Sequence, residues 1–224
     1  MPKNKIQKFK ENLSFPNMFQ LGYHELMEKG FNLKGEWKQS FFKNNNPIIL
    51  ELGCGKGEYT VGLAQKYPDN NYIGVDVKGA RLWRGAKSSE ELGLNNAAFI
   101  RAKIQLINFF FTENEVDEIW ITFPDPQPKS HKANKRLVSP RMLSLYKKLL
   151  SPNGIIHLKT DNLGLFEYCL EVIEENQYRL IYKTKDLYNS DLKEDVISIQ
   201  TFYEKQYLAE GKKINYLKFH LHER

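Results

Sequence analysis

The chain predicts an α/β fold, Rossmann-like and doubly wound, with a mainly parallel seven-stranded sheet and helices on both faces. Three observations carry this. From Pro47 onward, short apolar runs alternate with segments of helical length. A glycine-rich turn joins the first run to the first helix, and an acid ends the second run.

Ile48–Leu52 reads as the first strand, followed by a helix over Gly57–Tyr67. Asn71–Val77 is the second strand, and Gly79–Leu92 a helix closed by Gly93. Ala97–Arg101 and Glu118–Phe123 are the third and fourth strands, with a helix over Leu137–Leu150. Gly154–Thr160 is the fifth, followed by a helix across Leu163–Asn176. Tyr178–Tyr182 and Ile214–Leu221 complete the seven. Two parts are expected. Residues 1–46 form a basic arm, flexible over residues 1–20, and a lead-in of mixed character; residues 47–224 form the α/β domain.

The charge is uneven. Lys and Arg number 33 against 27 Asp and Glu, for a net +6. Between Pro126 and Thr160 there is no acid, yet Lys129, Lys132, Lys135, Arg136, Arg141, Lys147, Lys148 and Lys159 all fall there. These eight cations exceed the net charge, so the rest of the chain is slightly acidic and the positive charge is local. A polyanion-binding face fits this better than a general solubility device. Lys147 and Lys148 alone read as a solvated helix face.

Only two cysteines occur, Cys54 and Cys169, and neither they nor the five histidines show metal-ligand spacing. No apolar run approaches ~20 residues, which argues against a membrane-spanning helix. Met1–Lys10 lacks the apolar core of a secretory signal, so a soluble cytoplasmic protein is expected, without metal.

Glu51-Leu52-Gly53-Cys54-Gly55-Lys56-Gly57 stands where strand turns into helix. Glycines permit the tight turn, and the helix N-terminus offers free N–H groups to a polar ligand. Asp76, at the end of the second strand, is placed to accept from both hydroxyls of a ribose. Two cofactors suit this frame, a nicotinamide dinucleotide and S-adenosylmethionine. The third glycine of a dinucleotide fingerprint would fall at Glu58, and Glu51 would repel a pyrophosphate. An acid there suits a cofactor with a cationic amino group, which favours S-adenosylmethionine.

Phe123-Pro124-Asp125-Pro126-Gln127-Pro128-Lys129 closes the fourth strand. Prolines on both sides of Asp125 restrict its backbone and point to a positioned carboxylate. Asp161 follows the fifth strand, and a helix cap is its alternative role. Thr201-Phe202-Tyr203-Glu204 combines hydroxyl, rings and acid, with Phe202 expected to face the core. Cys54 reads as a small loop residue, His157 as a sheet residue, and Trp83 and Trp120 as packing residues.

Together, Glu51–Gly57, Asp76, Phe123–Lys129, Lys135-Arg136-Leu137, Lys159-Thr160-Asp161-Asn162 and Thr201–Glu204 resemble the bacterial tRNA (guanine-N7)-methyltransferases. The similar pieces run from about Pro47 to Glu204. The resemblance implies methyl transfer from S-adenosylmethionine to a guanine N7 of tRNA, at position 46 of the variable loop. It implies Glu51, Gly53, Gly55, Asp76, Arg101 and Asp125 at the cofactor, with Asp125 also catalytic. It implies Lys129, Asp161, Thr201, Phe202, Tyr203 and Glu204 at the substrate, and His131, Lys132, Lys135 and Arg136 on the RNA.

Two departures stand out. Arg101, with Lys103 nearby, replaces the family's acid after the third strand, and Gln127 replaces its tryptophan. Stacking on the target base then falls to Tyr203 or Phe123. A methyltransferase of another RNA, or a catalytically silent RNA-binding protein of this fold, are the alternatives. A monomer or homodimer is expected.

Overall fold

A computed structural model describes residues 5–192 and 195–223. The elements in chain order are α1 (Lys5–Glu11), β1 (Met18–Phe19), α2 (Tyr23–Lys29), a π-helix (Trp37–Phe42), β2 (Ile48–Leu52), α3 (Glu58–Lys66), β3 (Asn71–Asp76) and α4 (Gly79–Glu91). Then come β4 (Ala97–Arg101), a 3-10 helix (Ile104–Phe109), β5 (Val116–Thr122), a second 3-10 helix (Ser130–Lys135), α5 (Pro140–Leu149), β6 (Leu150–Thr160) and α6 (Leu163–Glu175). The chain closes with β7 (Tyr178–Thr184), a short 3-10 turn (Leu187–Asn189), α7 (Asp195–Ser198), α8 (Phe202–Ala209) and β8 (Asn215–Glu223).

The sheet has eight strands among the described residues, in the order β1-β4-β3-β2-β5-β6-β8-β7, one more than the seven expected. Strands β1 to β6 pair in parallel, and β8 runs antiparallel between β6 and β7. β2 is buried throughout, as a central parallel strand must be. Its alternate residues serve opposite layers. Ile48, Leu50 and Leu52 join the core under α5 and α6, while Ile49 packs with Tyr59, Leu63 and Ala64 of α3. The strand order reverses between β2 and β5, and that switch point opens a crevice at the carboxyl edge.

The extra strand corrects the reading of residues 1–20 as a flexible arm. β1 adds to the sheet edge through Met18↔Phe99 and Phe19↔Ile100, and α1 packs on α4. Asn12 Nδ2 donates to the Gly79 carbonyl at 2.9 Å, and Trp83 Nε1 donates to Glu11 at 2.7 Å. Residues 1–4 lie outside the described residues. The lead-in is likewise built. Trp37 is fully buried, donates to the Phe110 carbonyl at 2.9 Å, and stacks on Phe111 at 5.7 Å. The helix placed over Leu137–Leu150 starts later, where Ser139 caps it and Pro140 occupies its first turn.

Candidate active site

The glycine turn after β2 is held by its own backbone. Gly53 and Cys54 N–H both donate to the Val75 carbonyl, at 2.8 and 3.1 Å. Gly57 caps α3 with φ of 69°, and a Cβ there would lie 2.5 Å from the Phe99 ring, so only glycine fits. Asp76 ties this turn to β3. Its Oδ2 accepts from Gly55 N–H at 2.9 Å and its Oδ1 from Lys78 N–H at 2.7 Å. Each oxygen keeps a lone pair for a further donor.

Beside this turn lies a cavity of about 450 Å³. Gly53, Asp76, Val77, Lys103, Phe123 and Asp125 are among its lining residues, drawn from the ends of β2, β3, β4 and β5. Val77 leaves 53% of its surface exposed there, an apolar face inside a polar mouth.

Asp125 is positioned as expected of a residue between two prolines. Gln127 N–H donates to its Oδ1 at 3.0 Å, closing a side-chain turn. Phe123 and Gln127 flank it with φ of 49° and 45°. Two non-glycine residues in that region cost on the order of 1–3 kcal/mol each, strain that recurs at functional sites. Gln127 has a backbone role here, because its carbonyl also accepts from Arg136 Nε at 3.3 Å. Arg136 stacks over the Tyr168 ring at 4.1 Å, so it pins the basic loop in place. Lys129, His131 and Lys135 remain exposed, Lys132 is half-buried, and Lys135 reaches the cavity.

Against Phe123, two residues before Asp125, stands a shelf of rings of which the sequence showed only part. Tyr207 lies 5.7 Å from Phe123 and 6.5 Å from Tyr203, nearly parallel to the latter. Lys212 sits over Tyr207 at 4.4 Å and pairs with Asp161 at 3.7 Å. The Tyr203–Tyr207 spacing of one helical turn was the available signal. Arg81 donates to the Tyr203 hydroxyl at 3.3 Å, joining the shelf to α4. The cap of α6 is Asn162, which accepts from Leu165 N–H, so Asp161 is not used as a cap.

Four expectations meet a different geometry. Phe202 is 52% exposed instead of facing the core, with Lys56 over its ring at 4.4 Å and its N–H on Glu58 at 2.8 Å. Thr201 and Glu204 form a capping box on α8, and Glu204 is fully buried. Its carboxylate meets Lys159 Nζ at 2.7 Å and accepts from Tyr188 at 2.8 Å, so neither Thr201 nor Glu204 faces the mouth. Lys159 is also fully buried and donates to the Val196 carbonyl at 2.6 Å, so it leaves the basic surface. Burial drives its pKa down, while Glu204 opposes that.

Glu51 lies beneath the turn. Its carboxylate accepts from Thr60 N–H and Oγ1 at 2.9 and 2.6 Å and from Thr122 Oγ1 at 2.7 Å. Burial pushes its pKa up to about 7. Arg101, expected at the cofactor, does not line this cavity. Its guanidinium stacks on Phe9 at 4.6 Å and donates to Gln20 at 3.4 Å, while Lys103 takes the place at the rim. Among the described residues, no three His, Cys, Asp or Glu side chains converge to hold a metal, and no helix is long and apolar enough to cross a membrane.

A family model described as putative methyltransferase matches residues 45–217. The tRNA (guanine-N(7)-)-methyltransferase of Bacteroides fragilis is 51% identical over 219 residues, covering 98% of this chain and 86% of that protein. The protein of the same name from Christiangramia forsetii is 51% identical over 218 residues, covering 97% of each. Among solved structures, the 16S rRNA methyltransferase KamB superposes with a TM-score of 0.63 at 14% identity, covering 86% of this chain and 94% of that one. A methyltransferase from Aquifex aeolicus described as SAM-dependent superposes with a TM-score of 0.54 at 13% identity, covering 98% of this chain and 100% of that one. At such identities these two speak to the fold alone. The full-length matches at 51% identity speak to more, and on them the chain belongs to the tRNA (guanine-N(7)-)-methyltransferase family.

Proposed function

We propose that the protein transfers a methyl group from S-adenosylmethionine to N7 of a guanine in tRNA, at position 46 of the variable loop. The observation that carries this reading is the convergence of the Asp76-tied glycine turn and the fixed Asp125 carboxylate on one cavity. The residues present fit the cofactor. Asp76 keeps acceptor capacity for ribose hydroxyls, Val77 offers an apolar face for the adenine, and Gly53 and Gly55 let a ligand approach the backbone. Glu51 supports the turn from below by holding Thr60 and Thr122. When bound, S-adenosylmethionine supplies an electrophilic methyl group on its sulfonium.

Guanine N7 carries an exposed lone pair, so no base is needed to deprotonate it. The work left to the protein is alignment. Asp125 suits acceptance from guanine N1–H and N2–H, which would turn the N7 edge away from it. A carboxylate there also favours the cationic ring of the product. Asp161 is a second acid beside the ring shelf, joined to it through Lys212, and the Phe123–Tyr207–Tyr203 shelf can stack on the base. Lys129, His131, Lys132 and Lys135 would meet phosphates of a folded RNA presenting an unstacked loop guanine. A monomer or homodimer acting in the cytoplasm accords with this reading.

The test is transfer of labelled methyl from S-adenosylmethionine to unmodified tRNA, alongside tRNA carrying 7-deazaguanine at position 46. Label in the first and none in the second is expected. Equal labelling of both would reject the assignment to N7 at that position.

A further inference from the structure

A second cavity, of about 520 Å³, adjoins the first and shares Val77, Ala102 and Lys103 with it. Its walls come from Val77, from residues 101–106 at and after the end of β4, and from residues 20–23 leading into α2. Arg101 and Lys103 supply two cations, Gln20 an amide, and Tyr23 a ring that is 53% exposed. No acid lines it. Neither cation has an ion-pair partner among the described residues. Arg101 is held in place, since Phe9 backs its guanidinium at 4.6 Å and Gln20 accepts one N–H at 3.4 Å. A guanidinium offers five N–H donors, so most of them stay available.

Burying or crowding two like charges without a counter-ion is unfavourable, and a concave site that keeps them so is suited to an anion from outside. The planar ring beside them suits a base next to a phosphate. We propose that this cavity binds the sugar-phosphate backbone of the tRNA. Lys135, from the basic loop, lines the first cavity together with Lys103, so cations from two separate loops border the cofactor cavity. The RNA strand then crosses that cavity between the Lys129–Lys135 loop and the Arg101–Lys103 site. This inference rests on tRNA being the substrate.

The experiment measures tRNA affinity against salt for the parent protein, Lys103→Ala, Tyr23→Ala, and Arg101→Ala/Lys103→Ala, with cofactor affinity measured separately for each. Losing a phosphate contact lowers the slope of log affinity against log salt by about 1, so the double variant should lose about 1–2 and bind tRNA roughly 10-fold or more weakly. Tyr23→Ala should weaken tRNA binding several-fold with the slope unchanged. Lys103 and Tyr23 are exposed, so these two variants report even if Arg101→Ala loosens the fold. Parental slopes in both Lys103 variants would overturn the inference, as would a loss confined to cofactor affinity. A parent protein without salt-dependent tRNA binding would instead reject tRNA as the substrate.

Discussion

Glu51 is a deeply buried carboxyl group, where ionisation is costly and three hydrogen bonds only partly offset it. Its pKa rises from an ordinary 4.5 to about 7, so between those values the folded state holds a proton that the unfolded chain releases. Its contribution to stability is complete below about 4.5 and is lost as pH rises through about 7. Glu51→Gln keeps the shape and removes that loss. Its melting temperature should exceed the parent's at about pH 8.5, with the gap narrowing as pH falls below 7. Thermal melts across that range check the sign. Asp125→Ala should abolish methyl transfer while tRNA affinity falls less than about threefold, read by gel shift beside the transfer assay. The proline brackets made Asp125 legible from the chain alone. Glu51 was legible only as an acid before a glycine turn, because its depth depends on Thr122, 71 residues away.

At the level of elements, α8 is fixed by charge more than by apolar surface. Its capping box and the buried Lys159–Glu204 pair bind the first turn to β6, while exposed Phe202 and Tyr203 lie against Lys56 and Arg81. Lys159→Met alone strands a buried carboxylate and should destabilise the protein by about 3–5 kcal/mol. Lys159→Met/Glu204→Leu should recover most of that, and urea unfolding of the three proteins separates the pair from its parts. Thr201→Ala should cost about 0.5–2 kcal/mol through the lost cap. Strand alternation could have placed Lys159 with the polar layer of Thr122 and His157, since Lys159 and Thr122 are in register. Its partner lies 45 residues later in a helix whose two faces differ little, and no local pattern joins them. β1 was equally hidden. Two residues carry no periodicity, and their pairing depends on β4 about 80 residues downstream.

For the molecule as a whole, a cofactor that binds only the folded chain must stabilise it. S-adenosylmethionine at 100 times its Kd should add about 2.7 kcal/mol, and calorimetry should show the melting temperature rising with its concentration. The alternation of strands and helices made the doubly wound sheet readable, because buried parallel strands leave short continuous apolar runs and crossover helices leave a helical period between them. The cavity between two glycine- and acid-bearing strand ends followed from that topology. The ring shelf and the Arg101–Lys103 cavity did not, since their members meet only after the first and last parts of the chain have packed.

The place of β8 between β6 and β7 sets an order of assembly. During synthesis β7 emerges before its sole neighbour, and β6 presents an open edge until residues 215–223 arrive. Lys212, which meets both Asp161 and Tyr207, lies just ahead of that last strand. A ribosome would therefore have released everything from β1 to α8 before Lys212 could settle against Asp161 and Tyr207. The nascent protein can complete its glycine turn early, but it acquires both halves of its site only once β8 has emerged.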